Sequence, residues 1–140
     1  MIDTFPYPYT QKDAQWWVEI GATANNRVNK VIEYQGEFVG SVGVTPQTGW
    51  KSHLAEIGYW LGEEYWGRGI ATEALRIMTD YATSELKYQK LFAGVFAPNR
   101  ASMKVLEKCG YQLEGILKHE VFKAGEYFDI YHYATYMKSC

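Results

Sequence analysis

The pattern of apolar and polar positions predicts three strands in the first half of the chain. Lys30 to Tyr34 and Phe38 to Thr45 are rich in β-branched and aromatic residues, which favour strands. The polar segment Gln35 to Glu37 between them is typical of a hairpin turn. After a loop from Pro46 to Lys51, a third such run extends from His53 to Leu61. These runs predict three strands in succession.

A helix is predicted ahead of these strands. Thr10 to Asp13 supplies a helix start, and Ala14, Trp17 and Val18 follow it at helical spacing. The polar pair Asn25-Asn26 would end this helix. The pattern therefore predicts one amphipathic helix near the N-terminus.

The second half of the chain alternates between helices and strands. Apolar residues recur every three or four positions after Gly69, which predicts a helix with one buried face. An apolar strand from Leu91 to Ala97 follows. Asn99 is suited to cap a helix from Arg100 to about Lys108, and Gly110 is suited to end it. The pattern therefore predicts two helices separated by one strand.

Two closing strands complete the predicted fold. They run from about Tyr111 to Phe122 and from Tyr127 to Met137, joined by the turn Lys123 to Glu126. The predicted order is helix, three strands, helix, strand, helix and two strands, without a repeat or a linker. We therefore expect residues 1–140 to form a single domain of the α/β or α+β class with a mixed sheet.

Composition and charge limit the partners of this domain. Its 140 residues are 47% hydrophobic and 21% charged, which is typical of a globular domain and not of a disordered chain. A net charge of -2 gives no general attraction to nucleic acid or to anionic membranes, so we expect neither as a partner. The N-terminus has no secretion signal, and no apolar run approaches membrane-spanning length. We therefore expect a cytoplasmic protein.

The two cysteines, Cys109 and Cys140, are too few for a disulfide framework. A nucleophilic cysteine paired with His53, His119 or His132 is an alternative, although none of these residues lies in a recognisable local motif. We therefore interpret Cys109 as a small buried thiol.

A pair of glycines at the join between the third strand and its helix is the first candidate for chemistry. Gly67 and Gly69 allow the backbone to pass close to a ligand, and the free N–H groups at the start of the helix favour an anion such as pyrophosphate. The spacing matches neither a full dinucleotide fingerprint nor a P-loop. The glycines alone leave open a simple tight turn.

Longer blocks around these glycines resemble the GNAT superfamily of N-acetyltransferases. The resemblance lies in Glu56 to Glu73, Asn99 to Tyr111, Leu113 to Gly115 and Val121 to Asp129, and it covers about Phe5 to Met137. It is most specific for the RimJ/RimL branch of ribosomal-protein and small-amine acetyltransferases. It implies the GNAT acyl-CoA N-acyltransferase fold, with a mostly antiparallel central sheet flanked by helices, and acetyl-CoA (coenzyme A) as the cofactor.

The resemblance also implies how the chain would bind acetyl-CoA. The family's phosphate loop falls on Trp66 to Ala71, with Arg68 adding positive charge, although Trp66 stands where Gln or Arg is usual. The pantetheine arm would lie along Ile57 to Leu61, where Gly58 suits a bulge, a close backbone approach or simple packing. The implied cofactor-binding residues are Ile57, Gly58, Tyr59, Trp60, Leu61, Trp66, Gly67, Arg68, Gly69, Ile70, Ala71, Thr72, Asn99 and Ser102.

Two catalytic residues are expected, one for each proton movement. Much of the superfamily has a Tyr seven residues after the Asn99 position, but this chain has Leu106 there. RimL-like members resemble this chain in having a Ser at the Ser102 position, which implies that Ser102 donates a hydrogen bond to the coenzyme A sulfur. A mid-helix serine without a function is the alternative.

The second catalytic candidate is a base for the amine, which is mostly protonated at neutral pH. Strand alternation places Glu56 on the same face as Leu54, Gly58 and Trp60, and we expect it to be partly buried there. We choose Glu56 as the base, acting directly or through a water, while a purely structural or solvent-exposed carboxylate remains open. Glu73 is interpreted as a first-turn helix charge. The reaction needs no metal.

Taken together, the expected function is transfer of the acetyl group of acetyl-CoA to a primary amine. The acceptor would be a protein N-terminus or a small amine such as a polyamine or an aminoglycoside, and the residues do not identify it. Members of this branch usually have a strand and a helix before the region that resembles Phe5 to Tyr9, and the chain lacks them. We therefore expect a homodimer that covers an exposed strand edge. The alternative is a non-catalytic coenzyme A-binding or dimerisation module.

Overall fold

The computed structural model describes residues 2–11, 14–21 and 27–137. Its helices are α1 (Ile70–Ser84) and α2 (Arg100–Lys108), with short 3₁₀ turns at Gly49–Lys51 and Glu63–Tyr65. No helix in this part of the chain has the length and apolar character needed to cross a membrane. The strands are β1 (Ile2–Gln11), β2 (Ala14–Gly21), β3 (Val28–Tyr34), β4 (Glu37–Pro46), β5 (Leu54–Leu61), β6 (Lys90–Phe96), β7 (Gln112–Lys123) and β8 (Glu126–Tyr136).

The strands form one mixed sheet in the order β1-β2-β3-β4-β5-β6-β8-β7. Each neighbouring pair is antiparallel except β5 and β6, which are parallel. β5 and β6 pair only from Leu54 to Glu56, opposite Lys90 to Phe92, and they separate beyond Glu56. The predicted fold class, a mostly antiparallel mixed sheet with flanking helices, is confirmed. The separation of β5 from β6 opens a gap near the middle of the sheet.

The N-terminal helix prediction is wrong. Ala14–Gly21 is strand β2, and it pairs antiparallel with β3 from Ala14 opposite Tyr34 to Ile20 opposite Val28. The segment contains Trp16, Trp17 and Val18, whose aromatic and β-branched side chains favour strands, and the neighbouring strand overrides a weak helical spacing. Lys12, Asp13 and Asn25-Asn26, which were expected to bound the helix, lie outside the described residues.

Because β2 pairs with β3, the edge that was expected to need a partner chain is occupied by this chain itself. β1 in turn pairs with β2. The argument for a dimer from an open edge at this position therefore does not hold. Among the described strands, β1 and β7 lie at the two edges of the sheet.

Both predicted hairpins are confirmed, and positive backbone angles explain their tight turns. Gln35 and Gly36, between β3 and β4, have φ angles of 52° and 81°. Ala124 and Gly125, between β7 and β8, have φ angles of 53° and 80°. Two successive positive φ angles are typical of the two-residue turn that matches the twist of antiparallel strands.

The core lies between the sheet and α1. The apolar side chains of β4 and β5 that face α1 are buried, as are Ala74, Leu75 and Met78 on the facing side of the helix. Lys30 of β3 is also fully buried on this face, with its Nζ 4.2 Å from the centroid of the Tyr81 ring. Burial lowers the pKa of Lys30 to about 8. On the other face of the sheet, Asn29 and Glu56 are exposed.

Candidate active site

The glycine loop between β5 and α1 depends on two left-handed backbone positions. Gly67 has φ +77° and Gly69, the N-cap of α1, has φ +79°. A side chain at either position would find open space but would strain the backbone, because residues other than glycine rarely adopt these angles. The loop therefore leads into α1 with its first N–H groups uncovered by side chains.

A cavity of about 490 Å³ lies between this loop, the end of β5 and α2. We call it the helix-side cavity. Most of the predicted cofactor-binding residues line it, which brings two distant segments of the sequence together. Those residues are Tyr59, Trp60, Leu61, Trp66, Gly67, Gly69, Ala71, Thr72, Asn99 and Ser102.

Four of the predicted cofactor residues do not line this cavity: Ile57 and Gly58 line the two cavities described below, and Arg68 and Ile70 are the other two. Ile70 is buried in the core. The guanidinium carbon of Arg68 lies 5.5 Å from the ring centroid of Tyr65 and 6.0 Å from that of Tyr34. Arg68 therefore packs over aromatic rings, and its role beside the phosphates stays a prediction.

Positive charge in the helix-side cavity comes instead from Lys104 and Lys108 of α2. Sequence reasoning missed both residues. Ala101, Lys104, Val105 and Lys108 line the cavity at intervals of three and four residues, so they occupy one face of the helix. The helical periodicity of α2 from Ala101 to Lys108 would have indicated both lysines.

Trp66 is anchored to the strand that precedes the loop. Its indole Nε1 donates a hydrogen bond to the Leu61 carbonyl at 2.8 Å, and the side chain is 60% exposed at the rim of the helix-side cavity. The indole thus ties the glycine loop to the end of β5. The Gln or Arg that is usual at this position in the superfamily is not needed for this contact.

A second cavity, of about 260 Å³, occupies the gap where β5 and β6 separate. We call it the gap cavity. It is lined by Gly58 and Gly94 from the two strands and by Tyr59, Asn99 and Ser102, which also line the helix-side cavity. The two cavities are therefore neighbours with shared walls.

A pair of hydroxyl groups marks the boundary between these two cavities. Tyr59 Oη and Ser102 Oγ are 2.9 Å apart, and either can be the donor. Burial raises the pKa of Tyr59, and its hydrogen bond with Ser102 opposes part of that rise. The Asn99 side chain accepts a hydrogen bond from the Ser102 backbone N–H at 3.1 Å, which confirms the predicted cap and fixes the start of α2. Sequence reasoning did not pair Tyr59 with Ser102.

A third cavity, of about 370 Å³, lies on the sheet face opposite the helices. We call it the open-face cavity. Glu56, Gly58 and Trp60 line it, so the predicted alternation along β5 is confirmed. Glu56 is exposed, however, and the expected partial burial is wrong because no helix covers this face above it. Further lining residues are Arg27, Asn29, Ser41, Gly43, Thr45, Ile57, Tyr59 and Gly94.

The two predicted catalytic residues therefore lie on different faces of the sheet. Ser102 contacts Tyr59 on the helix side, and Glu56 lines the open-face cavity. Gly58 and Gly94 line both the gap cavity and the open-face cavity, so a passage between the faces would cross the sheet at these glycines. The arrangement suits a reaction in which two substrates meet from opposite sides.

Gly58 would keep this passage free of a side chain. The predicted bulge is absent, because β4 and β5 pair in continuous register from Gly40 opposite Leu61 to Pro46 opposite Ala55. A side chain at Gly58 would find nothing within 4 Å. The glycine therefore provides space for a ligand.

The remaining candidates carry no catalytic geometry. Cys109 Sγ donates to the Thr72 carbonyl at 3.4 Å, and burial raises the pKa of the Cys109 thiol, as expected of a structural thiol. Glu73 pairs with Arg76 one turn along α1. Cys140 lies outside the described residues, which contain no group of three or more His, Cys, Asp or Glu able to hold a metal ion.

Comparison with known proteins agrees with this geometry. Residues 1–112 match the family model described as an acetyltransferase (GNAT) domain. The chain belongs to the GNAT acetyltransferase family. A solved GNAT-like structure described as a probable acetyltransferase superposes with a TM-score of 0.71 at 27% identity, over 79% of this chain and 62% of that one.

Two relatives of this GNAT chain, both of them proteins of Escherichia coli strain K12, have names that give different acceptors. L-amino acid N-acetyltransferase AaaT is 30% identical over 71% of this chain and 62% of its own length. Spermidine N(1)-acetyltransferase is 33% identical over 69% of this chain and 52% of its own length. The chain spans between 37% and 66% of the length of the first curated relatives it matches.

Proposed function

We propose that this chain transfers the acetyl group of acetyl-CoA to a primary amine. The observation that carries the proposal is the break in the sheet beside Gly58 and Gly94, where the gap cavity shares lining residues with both the helix-side cavity and the open-face cavity. A thioester held on one face would thus be within reach of an amine held on the other. Holding both reactants in place removes much of the entropic barrier to reaction.

The helix-side cavity has the groups that coenzyme A requires. Main-chain N–H groups at Gly67 to Thr72 and the ammonium groups of Lys104 and Lys108 would bind the phosphates. The edge of β5 from Ile57 to Leu61 no longer pairs with β6 and offers backbone groups to the amides of the pantetheine arm. Acetyl-CoA would supply the activated acetyl group.

The chain's own residues would handle the protons. Glu56 would accept a proton from the acceptor ammonium, directly or through a water, which its exposed position favours. Ser102 would donate a hydrogen bond toward the sulfur that leaves, and Tyr59 would in turn donate to Ser102. The Tyr that is usual in the superfamily is replaced by Leu106, which is buried in the core.

The proposal extends to the wider setting of the enzyme. The GNAT relatives named above act, by their names, on amino acids and spermidine, which supports a small amine as acceptor, and a protein N-terminus is the other acceptor that we propose. We also propose membership of the RimJ/RimL branch, a cytoplasmic location and a homodimer. Apolar residues on the edge strand β7 support the homodimer, since Leu113, Ile116 and Leu117 are each more than one third exposed.

Release of coenzyme A from acetyl-CoA in the presence of a panel of amines tests this function. We expect turnover with at least one amine and a fall of roughly 100-fold in kcat for Glu56→Gln, with acetyl-CoA affinity unchanged, because the substitution keeps the shape but removes the base. Turnover that is unchanged in Glu56→Gln would remove Glu56 from the mechanism.

A non-catalytic coenzyme A-binding module is the second candidate function. The observation that favours it is Leu106, which is 2% exposed and offers no proton donor where the superfamily usually has one. Tight binding of acetyl-CoA without release of coenzyme A for any amine would support this second function over the first.

A further inference from the structure

The open-face cavity contains charges of both signs, and this distinguishes among possible acceptors. Its described lining has one carboxylate, on Glu56, and one guanidinium, on Arg27. The side chains of Asn29, Ser41 and Thr45 add neutral hydrogen-bonding groups. Such a lining complements a molecule that is itself a zwitterion.

Strand register places the two charges in one row across the sheet. Thr45 of β4 is opposite Glu56 of β5, and Val44 is opposite Val28 of β3. Continuing that register by one residue brings Arg27 to the other side of Thr45. Two strand spacings separate the Cα atoms of Arg27 and Glu56 by about 10 Å. Two long side chains that extend over this distance can hold a small ligand between them.

The floor beside this row is made largely of glycine. Asn29, Gly43 and Gly58 are opposite one another on β3, β4 and β5. The Asn29 side chain lies over Gly43, whereas a side chain at Gly58 would find nothing within 4 Å, so the free space between the charged row and the next row is at Gly58. In that next row Ser41 is opposite Trp60, whose indole is 57% exposed with the Phe38 ring centroid 6.1 Å away. The cavity therefore has a charged side and an aromatic side.

We propose that the acceptor is an α-amino acid with an apolar side chain. Its ammonium group would lie toward Glu56 and the gap, its carboxylate on Arg27 and its side chain against Trp60. This inference rests on the proposed acetyl transfer, and it chooses among the acceptors that the relatives leave open. A polyamine fits the described lining less well, because it has no carboxylate for Arg27 and the lining offers its several cations a single carboxylate, on Glu56.

The chemistry balances for this acceptor. The amine nitrogen forms a bond to the acetyl carbon as the carbon–sulfur bond breaks. Of the two protons that the ammonium group loses, one passes through Glu56 to solvent. The loss of the second proton from the nitrogen is balanced by the gain of one proton at the sulfur, where Ser102 is the hydrogen-bond donor. The products are an N-acetyl amino acid and coenzyme A, and the carboxylate on Arg27 is unchanged.

The test compares leucine with leucinamide, which has the same amine and side chain but lacks the carboxylate. The measured quantity is the ratio of kcat/KM for leucine to that for leucinamide, at saturating acetyl-CoA, with spermidine as a third acceptor. Arg27→Gln should lower this ratio roughly 10- to 100-fold, the range expected for loss of a hydrogen bond between charged groups. Lys51→Gln, which removes a positive charge from an exposed turn outside the cavity, should leave the ratio unchanged.

Two results would overturn the inference. One is a ratio that Arg27→Gln does not change, and the other is a higher kcat/KM for spermidine than for leucine. Either result would leave acetyl transfer itself intact. If none of these acceptors is acetylated, calorimetric titration of leucine and of leucinamide into the coenzyme A-bound protein tests the acceptor class by binding alone. Tighter binding of leucine that Arg27→Gln abolishes would then support the acceptor class, and equal or absent binding would refute it. The transferase activity itself is refuted only if no amine of the panel releases coenzyme A.

Discussion

At the scale of single residues, two hydroxyl groups from different elements meet where β5 and β6 separate. Tyr59 comes from β5 and Ser102 from α2, and their oxygens are 2.9 Å apart although 43 residues separate them in sequence. The ordinary pKa of a tyrosine, 10.0, already keeps the phenol protonated at neutral pH, and burial raises the pKa of Tyr59 further, so Tyr59 can donate to Ser102. In the proposed mechanism, Ser102 would then direct its own proton toward the cavities. Tyr59 would thus be a positioning residue that acts through Ser102.

This relation predicts how the two substitutions combine. Ser102→Ala should lower kcat roughly 100-fold, because it removes the donor to the sulfur. Tyr59→Phe should lower kcat roughly tenfold, because it removes only the hydrogen bond that orients Ser102. In the double variant, kcat should equal that of Ser102→Ala, since Tyr59 has no donor role without the serine. Steady-state kinetics that showed multiplied losses in the double variant would separate the two residues.

Charge at the site was the part that the sequence predicted least well. The resemblance implied Arg68 as the cation near the phosphates, but its guanidinium packs over Tyr65. Lys104 and Lys108 line the helix-side cavity, because a helix brings residues four apart onto one face. Local sequence does not show which side chain of a loop turns toward a ligand. That direction depends on the aromatic neighbours, which the fold brings together from elsewhere.

At the scale of elements, strand β5 carries most of the site. Its alternating side chains divide between the two faces, with Ile57 and Leu61 in the core and Glu56 and Trp60 on the open face. Gly58 lies at the point where the strand no longer pairs with β6. The strand therefore lines all three cavities.

A substitution at Gly58 should separate activity from stability. Gly58→Val places a side chain where the structure has nothing within 4 Å, and valine favours strands. We expect the free energy of unfolding in urea to be unchanged or slightly higher, while kcat/KM falls by roughly 100-fold or more because the passage is filled. Gly115→Val on β7 is the matched control, since its side chain also finds open space but lies outside the three cavities. Loss of activity in both variants would contradict this account.

The sequence predicted an element correctly where residues of the element itself mark its ends. It failed where the structure of a segment depends on a partner strand elsewhere in the chain. The bounds of α2 were predicted to the residue, because Asn99 caps it and Gly110 has φ +89° after its end. The segment from Ala14 to Gly21 was assigned to a helix because its apolar spacing fits both structures. Its strand state depends on pairing with β3, a partner outside the segment.

At the scale of the whole molecule, the sheet separates a packed face from an open one. α1 covers the core, and the open face carries the charges of Arg27 and Glu56. Lys30 is the exception, because it is 0% exposed on the packed face beneath Tyr81. A buried ammonium group costs stability while it is charged, so this lysine links folding to pH.

The sign of this link follows from the pKa of Lys30, which is about 8 in the folded chain and 10.5 as the ordinary value. Between these values the unfolded chain binds more protons, so the free energy of unfolding should increase with pH, by at most about 1.4 kcal/mol per pH unit. Below pH 8 the full cost of the buried charge is present. Lys30→Met should lack this increase, as measured by urea unfolding of both proteins from pH 7 to 10.5.

The difference in unfolding free energy between wild type and Lys30→Met isolates this residue, because the other titrating groups are common to both proteins. Lys51→Met, at an exposed position in a turn, should follow the wild type. A difference that stays constant from pH 7 to 10.5 would contradict a link through Lys30.

The break in the middle of the sheet has a further consequence for the order of events during turnover. Each reactant would have its own mouth, one on the helical side and one on the open side, so neither needs to leave before the other arrives. Such a layout favours a ternary complex with binding in either order. It also lets the two products depart in opposite directions, so that release of one does not wait for the other.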